Sequence, residues 1–448
     1  MSRFRRTLAA AVAAAAFLAS ATGSAAAHEI QATRFDAPLP LSLLYLGAGA
    51  TVALTALWLA RTRTEPAERA KRVVARVPHA GAVSLALSVG FLAVALAVLW
   101  IGATGRQTPT NPAVVVFWAL WLKGLLVVAA VVGSPWRVLS PWRTVHRALE
   151  RVEGGHLGVT AYPGRLAEWP AFVGFLLVVG VFENLTVLPE YPARTSALVA
   201  VYAGLMVGGG VLFGREWFAR ADFLSVLYRL VGRVSPVRVE RDGERAAISL
   251  RRPWTACARP VRSVAVAAFV VASVYTVSFD GFTNTPEYQT LLFAVRDLGG
   301  GALAGVALYA VGLACFLVAF AVVAALTARA ARDSVRRVAV AVPATLMPIA
   351  VGYELAHNAA FVVRNVGVLA GAVTGDPIAL LGWLSLPAYW GIQVVLVVLG
   401  HVVAVAAAHR TLADRYPDRT GIAHAPLVVL MVAYTVISLW ILSRPVVV

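Results

Sequence analysis

Ala113-Val-Val-Val-Phe-Trp-Ala-Leu-Trp-Leu-Lys123-Gly-Leu-Leu-Val-Val-Ala-Ala-Val-Val132 runs for twenty residues with a single charge. At 1.5 Å per residue a helix of that length covers ~30 Å, the thickness of a bilayer's hydrocarbon core. Outward from it the same kind of stretch recurs on both sides. Ten are expected in all: 39–60, 81–102, 113–132, 169–188, 195–214, 262–279, 300–327, 338–362, 388–408 and 426–443. Composition agrees. The chain has 448 residues, 60% apolar and 14% charged, with a mean hydropathy of +0.77. Soluble domains run closer to ~45–50% apolar and ~25% charged, and their single cores stop growing near ~250–300 residues. The fold class expected is all-α, a polytopic membrane bundle of ten helices with the lipid bilayer as its main partner.

The net charge of +17 would suggest nucleic acid on a soluble protein. Topology accounts for it instead. With the mature N-terminus outside, loops 61–80, 133–168, 215–261, 328–337 and 409–425 face the cytoplasm, and they hold 28 of the 39 lysines and arginines. The outer segments 28–38, 103–112, 189–194, 280–299, 363–387 and 444–448 hold one each: Arg34, Arg106, Arg194, Arg296, Arg364 and Arg444. This is the positive-inside asymmetry of a cytoplasmic membrane protein with both termini outside. Nucleic acid is excluded as a partner.

Residues 1–27 read as a cleaved signal peptide: Arg3, Arg5 and Arg6, an apolar stretch from Leu8 to Leu18, then Ser24-Ala25-Ala26-Ala27. His28 then begins the mature chain, and 28–448 forms one transmembrane domain. Within the loop 215–261, residues 215–233 mix Trp217, Phe218, Phe223, Leu227 and Leu230 with arginines, the pattern of an interfacial helix. A hairpin is expected over 237–250, with its turn at Asp242-Gly243. Ser134-Pro-Trp-Arg137 and Ser140-Pro-Trp-Arg143 read as paired anchors at the inner interface. Gly204-x-x-x-Gly208 and Gly301-x-x-x-Gly305 fit close helix packing. Two separated cysteines, Cys257 and Cys315, support neither a disulfide framework nor a thiolate metal site.

No nucleophile elbow, His-Glu-x-x-His, Cys-x-x-Cys or Walker loop occurs, so any site is assembled from separate helices. Ionisable side chains inside spans are the strongest lead, each costing ~2.5–3.5 kcal/mol at a helix centre on insertion scales. They are Lys123, Glu183, Glu354, His357 and His401. Glu354 and His357, three apart in Gly352-Tyr-Glu-Leu-Ala-His-Asn358, share one helix face and can hold one ion or one proton, or simply join helices. By helix rise His357 lies ~7 Å and Glu354 ~12 Å from the outer edge. Together with Glu183, Asp280 in the loop after span six, and Tyr389, Trp390 and Gln393, they outline a polar pocket open to the outside. His401 and Lys123 lie deeper, as its floor, as a separate proton path or as structural groups. The terminal amine and imidazole of His28 can chelate copper together. His79, His146, His156, His409 and His424 fall in or beside cytoplasmic loops as solvated imidazoles.

The chain resembles the polytopic fenitrothion hydrolase family of actinobacterial type along nearly its whole length. The likeness rests on Ala27-His28, Pro141-Trp142-Arg143, Tyr162-Pro-Gly-Arg-Leu-Ala-Glu-Trp169, Ser278-Phe-Asp-Gly281 with Asn284, Ala356-His357 and Gly400-His401. It implies hydrolysis of an aryl organophosphate triester. On that reading Glu354, His357 and Asp280 are the catalytic candidates. His28, His357, His401, Glu354 and Glu183 are candidate ligands of a divalent metal, zinc or copper, whose bound water attacks phosphorus. The alternatives are a copper or other metal-binding transport protein, with a metal ion or small molecule as ligand, and a non-catalytic accessory subunit.

Overall fold

The computed structural model describes residues 40–62, 72–242, 244–376 and 378–444; the expected signal segment and His28 lie outside the described residues. Among those described, ten helices are long and apolar enough to cross a membrane: Leu41–Arg61, Ala80–Thr104, Pro112–Val132, Gly164–Glu183, Pro192–Phe213, Val264–Thr283, Pro286–Ala331, Val335–Gly371, Leu386–Arg415 and Pro417–Leu442. They are spans one to ten below. Their number and order are those expected, and they fit a multi-pass membrane protein. Apolar runs take this form because lipid offers nothing for a backbone N–H or C=O to bond, so each segment must satisfy its own. Spans three, six and eight are the enclosed centre, while spans one, two, five and seven keep most of their surface outward.

Two edges differ from expectation, and both move site residues. Span six continues as helix to Thr283, so Asp280 sits on a helix and not in a loop. The Asp280 carbonyl accepts from Thr283 Oγ1 at 2.7 Å and Asn284 Nδ2 at 3.1 Å, which closes the helix end. Thr285 then caps a further helix, Pro286–Val295, in what was expected to be loop. Span eight breaks into a 3-10 turn at Pro343–Leu346. It then runs unbroken from Met347 to Thr374, well past the expected edge at 362, and stops where Gly375 adopts φ +102°.

The segment expected at the interface divides at Asp222 into the helices Arg215–Arg220 and Phe223–Val231. The second is buried on nearly every side, packed against spans three, four and eight, with Arg229 donating to the Ala219 carbonyl at 2.9 Å. Both tryptophans of the Ser-Pro-Trp-Arg repeat are likewise buried rather than interfacial. A buried indole N–H needs an acceptor, and Asp222 serves two: Trp136 and Trp142 each donate to its Oδ2 at 2.9 Å. Tyr202 donates its hydroxyl to Oδ1 at 2.9 Å, and Ser225 donates to Oδ2 at 2.8 Å.

The hairpin is present as β2 (Val237–Asp242) and β3 (Arg245–Leu250), and β1 (Arg72–Val77) completes an antiparallel sheet in the order β1-β3-β2. Of the Gly-x-x-x-Gly pairs, nothing lies within 4 Å of a Cβ built on Gly204 or Gly208 and Gly301 has left the helix at φ +49°, while a Cβ on Gly305 would come within 3.2 Å of the Tyr288 hydroxyl and 3.4 Å of Leu185. Spans eight and nine meet at Gly352 and Gly400, where an added Cβ would come within 2.6 Å of the Leu396 carbonyl or 2.5 Å of the Pro348 carbonyl.

Candidate functional site

Spans three and four each include a long π-helical segment. Span three is a π-helix over Val115–Gly124, and span four is one over Leu176–Glu183. The wider i→i+5 turn is rare and concentrates at functional sites. Here each π segment carries a charged side chain at its C-terminal end, Lys123 next to last in one and Glu183 last in the other. Tyr228 of the buried helix fixes the first by donating its hydroxyl to the Trp121 carbonyl at 2.8 Å and to that of Leu122 at 3.3 Å.

Lys123 is the centre of the site. Its Nζ lies 3.1 Å from Glu183 Oε1, 3.5 Å from Glu354 Oε1 and 3.9 Å from Asp280 Oδ2. Asp280 Oδ2 also faces His357 Nε2 at 3.6 Å. Spans three, four, six and eight thus each contribute to one cluster. Lysine and the three acids are buried, and His357 is the most open member at 20% side-chain exposure. Span nine braces it: Gln393 Nε2 at 3.0 Å and the Tyr389 hydroxyl at 3.3 Å both donate to the Ala356 carbonyl, between Glu354 and His357. Tyr353 packs its hydroxyl against Gly281, where a Cβ would come within 2.4 Å of it.

With Lys123 and the three acids ionised and His357 neutral, three carboxylates face one ammonium, a formal charge of −2. Uncompensated charge in a buried setting costs several kcal/mol per ion. Beside the cluster lies a cavity of about 40 Å³, room for a few waters. Lys123, Asp280 and Glu354 line it in part, together with Leu126, Leu227 and Met347.

Four of the expected site residues, Glu183, Asp280, Glu354 and His357, are therefore brought together. Glu354 and His357 share a face as their spacing requires, but each reaches to a different span, Glu354 to Lys123 and His357 to Asp280. His401 is not in the cluster: it is fully buried, and its Nδ1 is 2.8 Å from the Val397 carbonyl one turn back on its own helix. Among the described residues no group of three or more His, Cys, Asp or Glu is arranged to hold a metal ion.

The sequence reading missed the roles of Asp222 and Tyr228, neither of which stands out in a basic, aromatic loop. It also placed three histidines in solvent that the fold buries. His146 lies with its Nε2 3.0 Å from the Gly210 carbonyl, and the rings of His409 and His424 face each other at 5.4 Å near the link between spans nine and ten. The signal that could have put Lys123 at the centre was present: the only other lysine is Lys71, and a lysine enclosed by helices needs carboxylates. No family model matches the chain, and neither does any curated protein or solved structure.

Proposed function

We propose that the protein binds and moves a cation, a proton or a small metal ion, through the Lys123 cluster from its arginine-poor side. One observation carries this reading: the cluster's charge inventory, three buried carboxylates against one ammonium. His357 is the point of entry, being the most open member, and Asp280 lies next to it. Lys123 is the internal counter-ion, able to lean toward Glu183 or Glu354 as the other is neutralised. A metal ion taking its place would meet oxygen donors from Glu183, Asp280 and Glu354 with the His357 imidazole, a set suited to zinc more than to monovalent copper. By the arginine asymmetry the entry side is the outside of the cytoplasmic membrane.

Vesicles containing the full chain test this directly, with internal pH and an entrapped zinc indicator followed under an imposed potential. The double variant Glu183→Gln/Glu354→Gln leaves one carboxylate for one ammonium, and it is expected to slow uptake at least tenfold. Undiminished uptake by that variant, or none by the native chain, overturns the reading.

A hydrolase is the second reading, favoured by the carboxylate-backed imidazole at the mouth and by the resemblance to fenitrothion hydrolases. Asp280 would orient His357 as the general base for a water attacking phosphorus. Loss of aryl phosphotriester turnover in His357→Ala with cation uptake intact would select it. Failure of cluster variants to assemble, with neither activity in the native chain, would leave the accessory role.

A further inference from the structure

At their arginine-rich ends, spans four and six are tied by one hydrogen bond: Ser263 donates its hydroxyl to Glu168, a buried carboxylate. Arg262, next in the chain to Ser263, is therefore held beside that end of span four. It is exposed, and it makes no hydrogen bond or ion pair among the described residues. Two further guanidiniums stand close enough for its charge to act on them. Burial first, and Arg262 second, push Arg229 down to about 10, against the pull of Glu168. Burial also pushes Arg233 down, helped by Arg259 and Arg262 and opposed by Cys257. The N–H groups of both go to neutral carbonyls. Arg229 donates to that of Ala219 at 2.9 Å, and Arg233 to those of Arg259 at 2.7 Å and Pro260 at 3.3 Å. Such bonds satisfy the donors but cancel no charge, so Arg229, Arg233, Arg262 and Glu168 together keep a formal +2. Next to this charge, span four turns Trp169, Val173 and Leu177 outward at 42, 50 and 42% exposure. Four residues apart on a helix, they form one apolar stripe running into the membrane.

We propose that this corner binds one anionic phospholipid, with its phosphate on Arg262 and an acyl chain along Trp169, Val173 and Leu177. A guanidinium offers phosphate a planar fork of donors, and the uncommitted fork here is that of Arg262. Arg229 and Arg233 add attraction through space while keeping their carbonyls. A zwitterionic headgroup would bring its own ammonium among three guanidiniums, so the corner discriminates by headgroup charge. The stripe favours a lipid over a free phosphate, which has no chain to lay on it. By the arginine asymmetry the corner lies in the cytoplasmic leaflet, where anionic headgroups carry the surface charge.

Trp169 stands at the corner and reports on it. The full chain is placed in phosphatidylcholine nanodiscs, and a minor component with brominated acyl chains is added, either phosphatidylglycerol or phosphatidylcholine. Quenching at the corner is the difference between the native chain and Trp169→Phe. Brominated phosphatidylglycerol is expected to quench saturably and about fivefold more effectively, the contribution of one arginine near an anionic surface. Arg262→Gln should remove that preference, and Arg262→Lys, which keeps the charge, should retain most of it. Arg262 is bonded to nothing else described, so both variants should melt as the native chain does. Equal quenching by the two lipids would mark ordinary boundary lipid and overturns the proposal. So does a preference that survives in Arg262→Gln, or one that dissolved inorganic phosphate abolishes, which would mark a site for a soluble anion. The readout is lipid contact and not ion movement, so the outcome is independent of the cation reading.

Discussion

Replacing Lys123 with methionine keeps most of the side chain's bulk and removes the cluster's only fixed cation. Three carboxylates at 3.1, 3.5 and 3.9 Å from the ammonium then lose it together. Removing one partner of a buried pair costs ~3–5 kcal/mol. On the specific unfolding entropy of soluble domains, a chain this long loses about 3–5 °C of Tm for that cost. The loss has a pH signature as well. The formal charge goes from −2 to −3, and restoring it takes one more proton in the folded state. A folded state that binds one proton more than in the native chain makes stability fall as pH rises, by ~1.4 kcal/mol per pH unit beyond any slope the native chain has. Thermal melts in nanodiscs, read by tryptophan emission between about pH 5 and 8, should show the two chains converging at the acid end and diverging at the alkaline end. The double variant Lys123→Met/Glu183→Gln, again formally −2, should recover the native pH dependence. Parallel melting profiles for Lys123→Met and the native chain would refute the charge accounting, and with it the proposed function.

Gly400→Ala places a methyl 2.5 Å from the Pro348 carbonyl, where backbone cannot yield, so separation of spans eight and nine should cost ~1–3 kcal/mol, visible as a lower melting temperature in detergent. Asp222→Ala leaves two indoles, two hydroxyls and the Leu224 N–H without their acceptor. At ~1–3 kcal/mol per unmade bond the chain should fail to accumulate in the membrane, whereas Asp222→Asn should be recoverable with red-shifted tryptophan emission. Burial pushes the Cys257 thiol up to about 12, against the pull of Arg233 and Arg251. It should therefore resist maleimide at neutral pH until the protein is denatured.

The architecture was legible because lipid imposes one rule on every span, and residues 113–132 obey it without help from the rest of the fold. The site was legible in part for the same reason: charge inside an apolar run is conspicuous, so Lys123, Glu183, Glu354 and His357 announce themselves. How they pair was not legible. Periodicity places Glu354 beside His357, but it cannot show that Lys123 lies nearer Glu354 than any imidazole does, since that depends on how four helices cross. The loops misled for the opposite reason. A segment that mixes arginines with aromatic residues reads as interfacial, yet Phe223–Val231 enters the core, where Asp222 gathers five donors. The continuation of helix through Asp280 and past Val362 was hidden too, since polar residues at a helix end look the same whether the helix stops or emerges from the membrane.

The π segments of spans three and four bear on how this site is encoded. A helix closing at i→i+5 turns less per residue than the roughly 100° of an α-helix, so over the ten residues Val115–Gly124 the heading of the last side chain differs by more than a quarter turn from its α-helical bearing. The aim of Lys123 is therefore stored in the backbone ladder of span three and not in the identity of the lysine. A chain with all five ionisable residues intact, but with that ladder closed in the ordinary way, would turn the ammonium off its carboxylates. For this fold an inventory of charged residues is an incomplete signature of the site: helical pitch is an inherited character in its own right, and a mutation that moves no charge can erase the cluster.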